Sequence, residues 1–592
     1  MSSVHTFHIP VMGTAFTADS ALKVAHYGIN TVIALADDVL LERLRKYYSG
    51  LHNLSYNEIK NDTKDYRADR ITSYLNMVNK VTSAKFEEFT SATKDKFEEV
   101  KKYFIMLPDS SEVKKEFNRF IEKSFSFEDL SSWLKENLSV GSIDVNIMTK
   151  VDKTNYFKKE ELPSEYNDAH AGLRGYANSD LASSVIFSAG MNPRLYGYIA
   201  QFDDFFPDEN GYIKKKIILK VSDYRSAVIQ GKFLAKKGLW VSEYRIESGL
   251  NCGGHTFATD GYLIGPILAE FRDRRQELID DTFAVCKSAL ESSARILPNE
   301  TLAVKITAQG GVGTAEEHNF LINHYNLDTV GWGTPFLLVP EATTVDKDTR
   351  KQLQEAKEKD LYLSNISPLG VPFNTLRNSS KDIERFQKIE EGNPGSPCPR
   401  KFLALSNEYG TQGVCTASRL FQKNKIQEQG ISDKITEKTC LCMGLAATAD
   451  INYGFENRES KGVSICPGPN MAYFSKELSL SEMAHHIYSD LKGVVRADRP
   501  NMFVNELGMY LKFFSEKIEE HKNNWDKASE KKLTAFAENM NEGINYYKGM
   551  FNSIGDTFVD AKESVTNSLN DASERLRKMG VEISILIAQN QK

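Results

Sequence analysis

The chain has 592 residues, 41% of them hydrophobic and 26% charged, with a net charge of −6. That is the balance of a globular protein long enough to bury a barrel-sized core and more. Charges of both signs are spread along the chain, which argues against a nucleic-acid-coating surface, and no run of about 18 apolar residues appears that could span a membrane.

The first apolar segment, Phe7–Phe16, reads as a buried strand that ends in a glycine-bearing loop. Ala21–Tyr27 has helical character, Gly28 ends it, and Thr31–Leu35 is a second strand. Strand, helix and strand in so short a span form a βαβ unit. From residue 38 to 142 the rhythm stops. Val39–Tyr48 and Ala84–Phe104 carry apolar residues every three or four positions, which predicts a helical insertion after strand 2. A separate helical domain would read the same way. Strand-like runs resume at Asp144–Thr149, Ser184–Phe187, Ile217–Val221, Trp240–Ile246, Leu302–Thr307 and Thr329–Trp332. Helical stretches such as Ser226–Lys237 and Ile267–Ser293 lie between them. The pattern predicts an α/β fold, a (β/α)8 TIM barrel built from residues 1–37 and 143–346 with the insertion at 38–142. An open doubly wound sheet is the structural alternative. Residues 347–478 read as a cysteine-containing region over the barrel mouth. Residues 479–592 read as mainly helical, including Met502–His521 and Trp525–Ala561. His485 and His486 fall in a predicted helix, Leu478–Leu491, and read as solvated or core residues.

Two strand-to-helix turns carry the first chemical signal. Ala308-Gln-Gly310-Gly311-Val leads to Thr314, a plausible helix N-cap, and Gly331-Trp-Gly333-Thr334 follows about twenty residues later. Loops after strands seven and eight are where such a barrel holds phosphate. Glycine lets backbone N–H groups approach phosphate oxygens, and a helix N-terminus adds partial positive charge. Glycines that only close tight turns are the alternative.

The strand Trp240–Ile246 runs into Glu247-Ser-Gly-Leu-Asn251-Cys252-Gly253-Gly254-His255. This places a histidine on the catalytic face, where it can act as general acid or base. These loops together resemble the nitronate monooxygenase family, and similarly the FMN-dependent enoyl-acyl-carrier-protein reductases and the reductase component of polyunsaturated fatty acid synthases. The family's Gly-x-Glu-Ala-Gly-Gly-His is matched by Gly249–His255, its Ala-Gly-Gly-Ile by Gln309–Val312, its Gly-Thr-Arg-Phe by Gly333–Phe336, and its Pro-Met-Ala-Gly by Pro10–Gly13. The resemblance covers about residues 4–37 and 143–346. It implies FMN, with the phosphate on Gly310, Gly311, Gly333 and Thr334. The flavin ring would lie near Met12, Gly13 and Gly190, Gly253 and Gly254 would also bind the cofactor, and His255 would be the substrate-facing acid or base. Asn251, Cys252 and Pro335 depart from the family's Glu, Ala and Arg.

Five cysteines, Cys398, Cys415, Cys440, Cys442 and Cys466, lie in turns rich in Pro and Gly. They are candidate ligands for a [4Fe–4S] cluster that relays electrons, with zinc as the alternative. The expectation is an FMN-dependent oxidoreductase acting on a small or acyl-carrier-bound substrate, either nitronate monooxygenase-like or enoyl reductase-like. Its electron partner would be NAD(P)H, O2 or a redox protein, and it could form a homo-oligomer. No signal pattern opens the chain, and its seven cysteines do not form a secreted disulfide framework, so the expected compartment is the cytoplasm. The alternatives are a flavin-bearing component of a larger assembly and a barrel that binds a phosphorylated metabolite.

Overall fold

The computed structural model describes residues 4–123, 125–148, 151–258, 260–456, 461–522, 525–555 and 557–590. Its centre is a closed barrel of parallel strands: β1 (Phe7–Ile9), β2 (Asn30–Ala34), β3 (Ile143–Ile147), β4 (Ser183–Phe187), β5 (Lys215–Val221), β6 (Val241–Glu247), β7 (Lys305–Gln309) and β8 (Thr329–Gly331). β8 closes on β1 through Phe7 opposite Val330 and His8 opposite Gly331. The barrel is therefore a (β/α)8 fold and not an open doubly wound sheet.

Side chains alternate along each strand, so every second residue faces the barrel interior. Val32, Ile186 and Ile218 form an apolar layer there, capped by Val11. Away from the cavity, Glu243 accepts hydrogen bonds from Thr307 Oγ1 at 2.6 Å and Arg245 Nε at 2.8 Å. Outward residues of the same strands, such as Ile33, Val145 and Leu219, join the main core beneath the surrounding helices.

β1 is far shorter than the apolar run Phe7–Phe16, because Pro10 has no N–H to continue the ladder. β7 begins later than the predicted Leu302 and runs on to Gln309. Thr149, the end of the predicted third strand, lies outside the described residues. Between β2 and β3 run the helices Asp38–Leu51, Tyr66–Thr90, Phe97–Ile105, Glu112–Ile121 and Phe127–Asn137. The predicted helix Ala84–Phe104 is broken at Ala92, whose φ of 45° no α-helix tolerates. Ile267–Ser293 likewise forms two helices, Ile264–Asp273 and Arg275–Ser292, joined at Arg274.

The C-terminal half packs into the same hydrophobic core as the barrel, through residues such as Ile465, Met471, Phe503 and Tyr547. It also holds a hairpin, Leu361–Ser364 with Phe373–Leu376, that the sequence reading missed. The hairpin pairs with Gly254–His255, so the loop after β6 becomes the third strand of a small sheet. The helix Met502–His521 has the predicted bounds, and Lys527–Ser553 and Lys562–Asn590 follow it.

Candidate active site

A cavity of about 520 Å3 opens at the C-terminal ends of the barrel strands. That volume is within the usual range for a small-molecule or cofactor site. Its wall holds Met12 and Gly13 after β1, Gly253, Gly254 and His255 after β6, Gly310 and Gly311 after β7, and Gly333 and Thr334 after β8. After β4, the residues at the cavity are Ser188 and Ala189, while the predicted Gly190 is not among the lining residues. The C-terminal half completes the wall with Cys442, Cys466, Pro467, Gly468 and Asn470.

The glycines are first of all required by how these loops interlock. Gly310 and Gly311 have φ of 116° and 86°, a region that L side chains rarely enter. A Cβ on Gly311 would lie 2.1 Å from Asn251 Nδ2, and one on Gly253 would lie 2.4 Å from the Cys466 carbonyl oxygen. The Gly468 N–H donates to Thr334 Oγ1 at 3.1 Å, which ties the cap to the loop after β8.

The turn after β7 is held from behind by the C-terminal half. Arg499 Nη2 donates to the Gly311 carbonyl at 2.6 Å, Asn470 Nδ2 to the Val312 carbonyl at 2.9 Å, and His486 Nε2 lies 2.9 Å from the Gly313 carbonyl. In a trans peptide the N–H points opposite the carbonyl, so the Val312 N–H is turned away from Arg499. Thr314 does cap the helix Ala315–His324, its hydroxyl accepting from the Glu317 N–H. Two further donors at that terminus are taken, Gly313 N–H by Glu317 at 2.9 Å and Ala315 N–H by Asp490 at 2.6 Å. The expected use of this helix end as a phosphate seat is thereby reduced to the turn in front of it. β8 is followed first by a 3-10 stretch, Thr334–Leu338, and the next α-helix begins only at Lys347.

The polar wall is mostly self-paired. Lys220 Nζ donates to Glu247 at 3.0 Å, and Gln309 Nε2 donates to the other Glu247 oxygen at 2.8 Å. Arg67 bonds Asp38 at 3.2 Å and the Ala36 carbonyl at 2.9 Å, and lies 3.4 Å from Asp168. Several lining side chains still keep a buried polar atom with no hydrogen-bond partner among the described residues, Thr14 Oγ1, Arg67 Nε, Asn146 Nδ2 and Asp168 Oδ2 among them, and Asn251 lacks a partner at both of its polar atoms. Buried polar atoms without partners are uncommon and call for a ligand or ordered water.

His255 Nε2 lies 2.6 Å from Ser367 Oγ, and its ring packs edge-on against Phe373 at 4.8 Å between centroids. Burial pulls its pKa down to about 4, so the imidazole is neutral at neutral pH. Glu506, from the helix Met502–His521, reaches under the same loop. It accepts from Ser248 Oγ at 2.6 Å and from the Ile264 N–H at 2.9 Å. Burial pushes its carboxyl up to about 7.

The five candidate metal ligands do not form one set. Among the described residues no group of three or more His, Cys, Asp or Glu side chains is arranged to hold a metal ion. Cys466 faces the barrel, where the Gly13 amide donates to its sulfur and burial raises its pKa to about 12. Cys398 and Cys415 instead share a thiol hydrogen bond beside Ala404 and Ala417. That bond lowers Cys398 to about 7 and raises Cys415. Burial raises Cys440 and Cys442.

Arg499, Asn470, His486 and Glu506 were not anticipated as parts of the site. Each acts over more than 150 residues of sequence on a carbonyl or hydroxyl, and such contacts leave no local pattern. The one available signal was the Cys466-Pro-Gly-Pro-Asn470 turn, which marks a rigid loop with a polar end.

No family model and no curated protein matches the chain. Among solved structures, the enoyl reductase domain of MlnA from the macrolactin biosynthesis cluster of Bacillus amyloliquefaciens is similar at 13% identity, over 71% of this chain and 86% of that one, with a TM-score of 0.30. A likeness that distant assigns nothing to this chain, whose barrel is established by its own strand pairings.

Proposed function

We propose that the protein is an FMN-dependent oxidoreductase that acts on a small or acyl-carrier-bound substrate. The observation that carries this reading is the cavity itself. It lies at the C-terminal end of a closed (β/α)8 barrel, its wall is built from the glycine loops after β1, β6, β7 and β8, and that wall contains Asn146 Nδ2 and both polar atoms of Asn251, buried without a partner among the described residues. The C-terminal face is where such barrels carry their chemistry.

The residues present fit the group. The turn Gly310–Val312 and the Thr334 hydroxyl would hold the phosphate, with Lys220 and Arg67 already committed to carboxylates. Met12, Gly13 and Ser188 would border the ring system. Bound FMN supplies hydride acceptance and donation. His255 supplies the proton transfer. In the tautomer whose Nε2–H donates to Ser367 Oγ, Nδ1 would be the proton acceptor, and the neutral ring would enter turnover as a base. Phe373 and the strand pairing of Gly254–His255 fix the ring's position.

The test is His255→Ala, assayed with nitronates under O2 and with enoyl thioesters under NAD(P)H. The expected variant keeps its flavin and loses turnover with whichever substrate the wild type accepts. The activity of the wild type should fall only as pH drops through about 4. Turnover retained by the variant would remove His255 from the mechanism.

A further inference from the structure

Asn251 stands where the resembling family has glutamate, and its surroundings give it a specific task. Its loop is fixed on two sides. The Asn251 N–H donates to Ser248 Oγ at 3.1 Å, and Ser248 is anchored in turn by Glu506. Asn374 Nδ2 donates to the Leu250 and Cys252 carbonyls at 3.3 Å and 2.6 Å. On this rigid loop the Asn251 side chain is only 2% exposed. Its Nδ2 lies against the bare Cα of Gly311, in the turn proposed for phosphate, and the residue lines the cavity. Neither Nδ2 nor Oδ1 has a hydrogen-bond partner among the described residues.

A carboxamide offers one kind of group and asks for another: Nδ2 donates and Oδ1 accepts. A phosphate dianion has no proton to give, so it could serve Nδ2 but would leave Oδ1 bare. Aliphatic hydroxyls both donate and accept. Beside a phosphate turn, the ligand chemistry that satisfies both atoms is a chain of neighbouring hydroxyls ending in a phosphate ester.

We propose that Asn251 binds the polyol segment of a polyol phosphate, taking a hydroxyl proton on Oδ1 and donating from Nδ2 to an adjacent hydroxyl oxygen. This rests on the flavin reading, since the ribityl phosphate of FMN is such a chain. A free sugar or alditol phosphate shares the chemistry.

The experiment uses the full chain, stripped of bound ligand, as wild type, Asn251→Leu and Asn251→Asp. Each is titrated with FMN, riboflavin, lumiflavin (which lacks the polyol) and ribitol 5-phosphate, and its melting temperature without ligand is recorded. Leucine keeps the shape and removes the unmet polar atoms. Asn251→Leu should therefore bind FMN and riboflavin about tenfold more weakly, bind lumiflavin as the wild type does, and melt higher without ligand. Asn251→Asp places a carboxylate beside the phosphate and should lose more affinity for FMN than for riboflavin. Unchanged FMN affinity in both variants overturns the proposal. So does an equal loss for lumiflavin, which would mean a deformed loop, or a Leu variant that loses FMN but not riboflavin. If the wild type takes up no flavin but binds ribitol 5-phosphate in a manner weakened by Asn251→Leu, the flavin reading fails and the role of Asn251 stands. Binding of neither overturns both.

Discussion

Replacing Arg499 by Met tests whether the C-terminal half is part of the barrel's active site or a lid laid over it. Arg499 and Glu317 form a two-pronged pair at 2.8 and 2.9 Å, with their side chains 3% and 2% exposed. Removing one member of such a buried pair costs roughly 3–5 kcal/mol, because the other charge is left uncompensated. Glu317 would keep the Gly313 and Met502 N–H donors, at 2.9 and 2.7 Å, which favours the lower end. The variant also loses the bonds from Arg499 to the Gly311 carbonyl and to Asn470 Oδ1, worth about 1 kcal/mol each. The expected total is therefore about 5 kcal/mol, read as the shift of the first urea transition followed by circular dichroism. Arg499→Met with Glu317→Gln removes both charges and should cost well under the sum of the two single changes. The same single variant should weaken FMN binding, since the turn after β7 loses its support. A single-variant cost below about 1 kcal/mol, or strict additivity in the double variant, would refute the reasoning.

Glycine positions give opposite signs for the same substitution. Gly253→Ala forces a Cβ to within 2.4 Å of the Cys466 carbonyl and should cost about 1–3 kcal/mol, with faster alkylation of Cys466. Gly50→Ala, near the end of the helix Asp38–Leu51 with nothing within 4 Å, should raise stability by about 0.5–1 kcal/mol. Melting temperatures of the pair check both, and a shared sign would contradict the packing described. The chain should also lose stability in mild acid. Burial lowers His5 and His318 from 6.5 to about 4, and both are 1% exposed. The unfolded chain takes up these protons first, so their contribution is complete above pH 6.5 and is lost as pH falls to about 4. At 1.36 kcal/mol per pKa unit this is on the order of 3 kcal/mol for each histidine. Glu506 acts in the opposite sense, its contribution fading as pH rises from 4.5 through about 7. Urea midpoints at pH 7, 6 and 5 should fall steadily, and a flat series would contradict the burial of these rings.

The barrel was readable in the sequence because strands covered on both faces carry short apolar runs, as in Ile217–Leu219 and Val185–Phe187. The glycine loops and His255 were readable because they follow those strands directly. What was hidden depends on distant partners. Nothing near Arg499 reveals that it will hold Gly311, and nothing near Phe373 reveals that it will pair with His255. Cysteine spacing likewise could not separate Cys466, at the barrel mouth, from Cys398 and Cys415, paired in the outer cap. Gly190 was drawn in by its place after β4, but the backbone presents Ser188 and Ala189 to the cavity instead.

The central claim, that the cavity bordered by Gly311, Gly333 and His255 is a flavin site, is tested most directly by the visible absorption spectrum of the purified full chain, with mass analysis of the small molecule released on heating. The account predicts the two-banded spectrum of oxidised flavin and the release of FMN in near-stoichiometric amount. A colourless protein that takes up no FMN when incubated with it, or that releases a different phosphorylated metabolite, would contradict it.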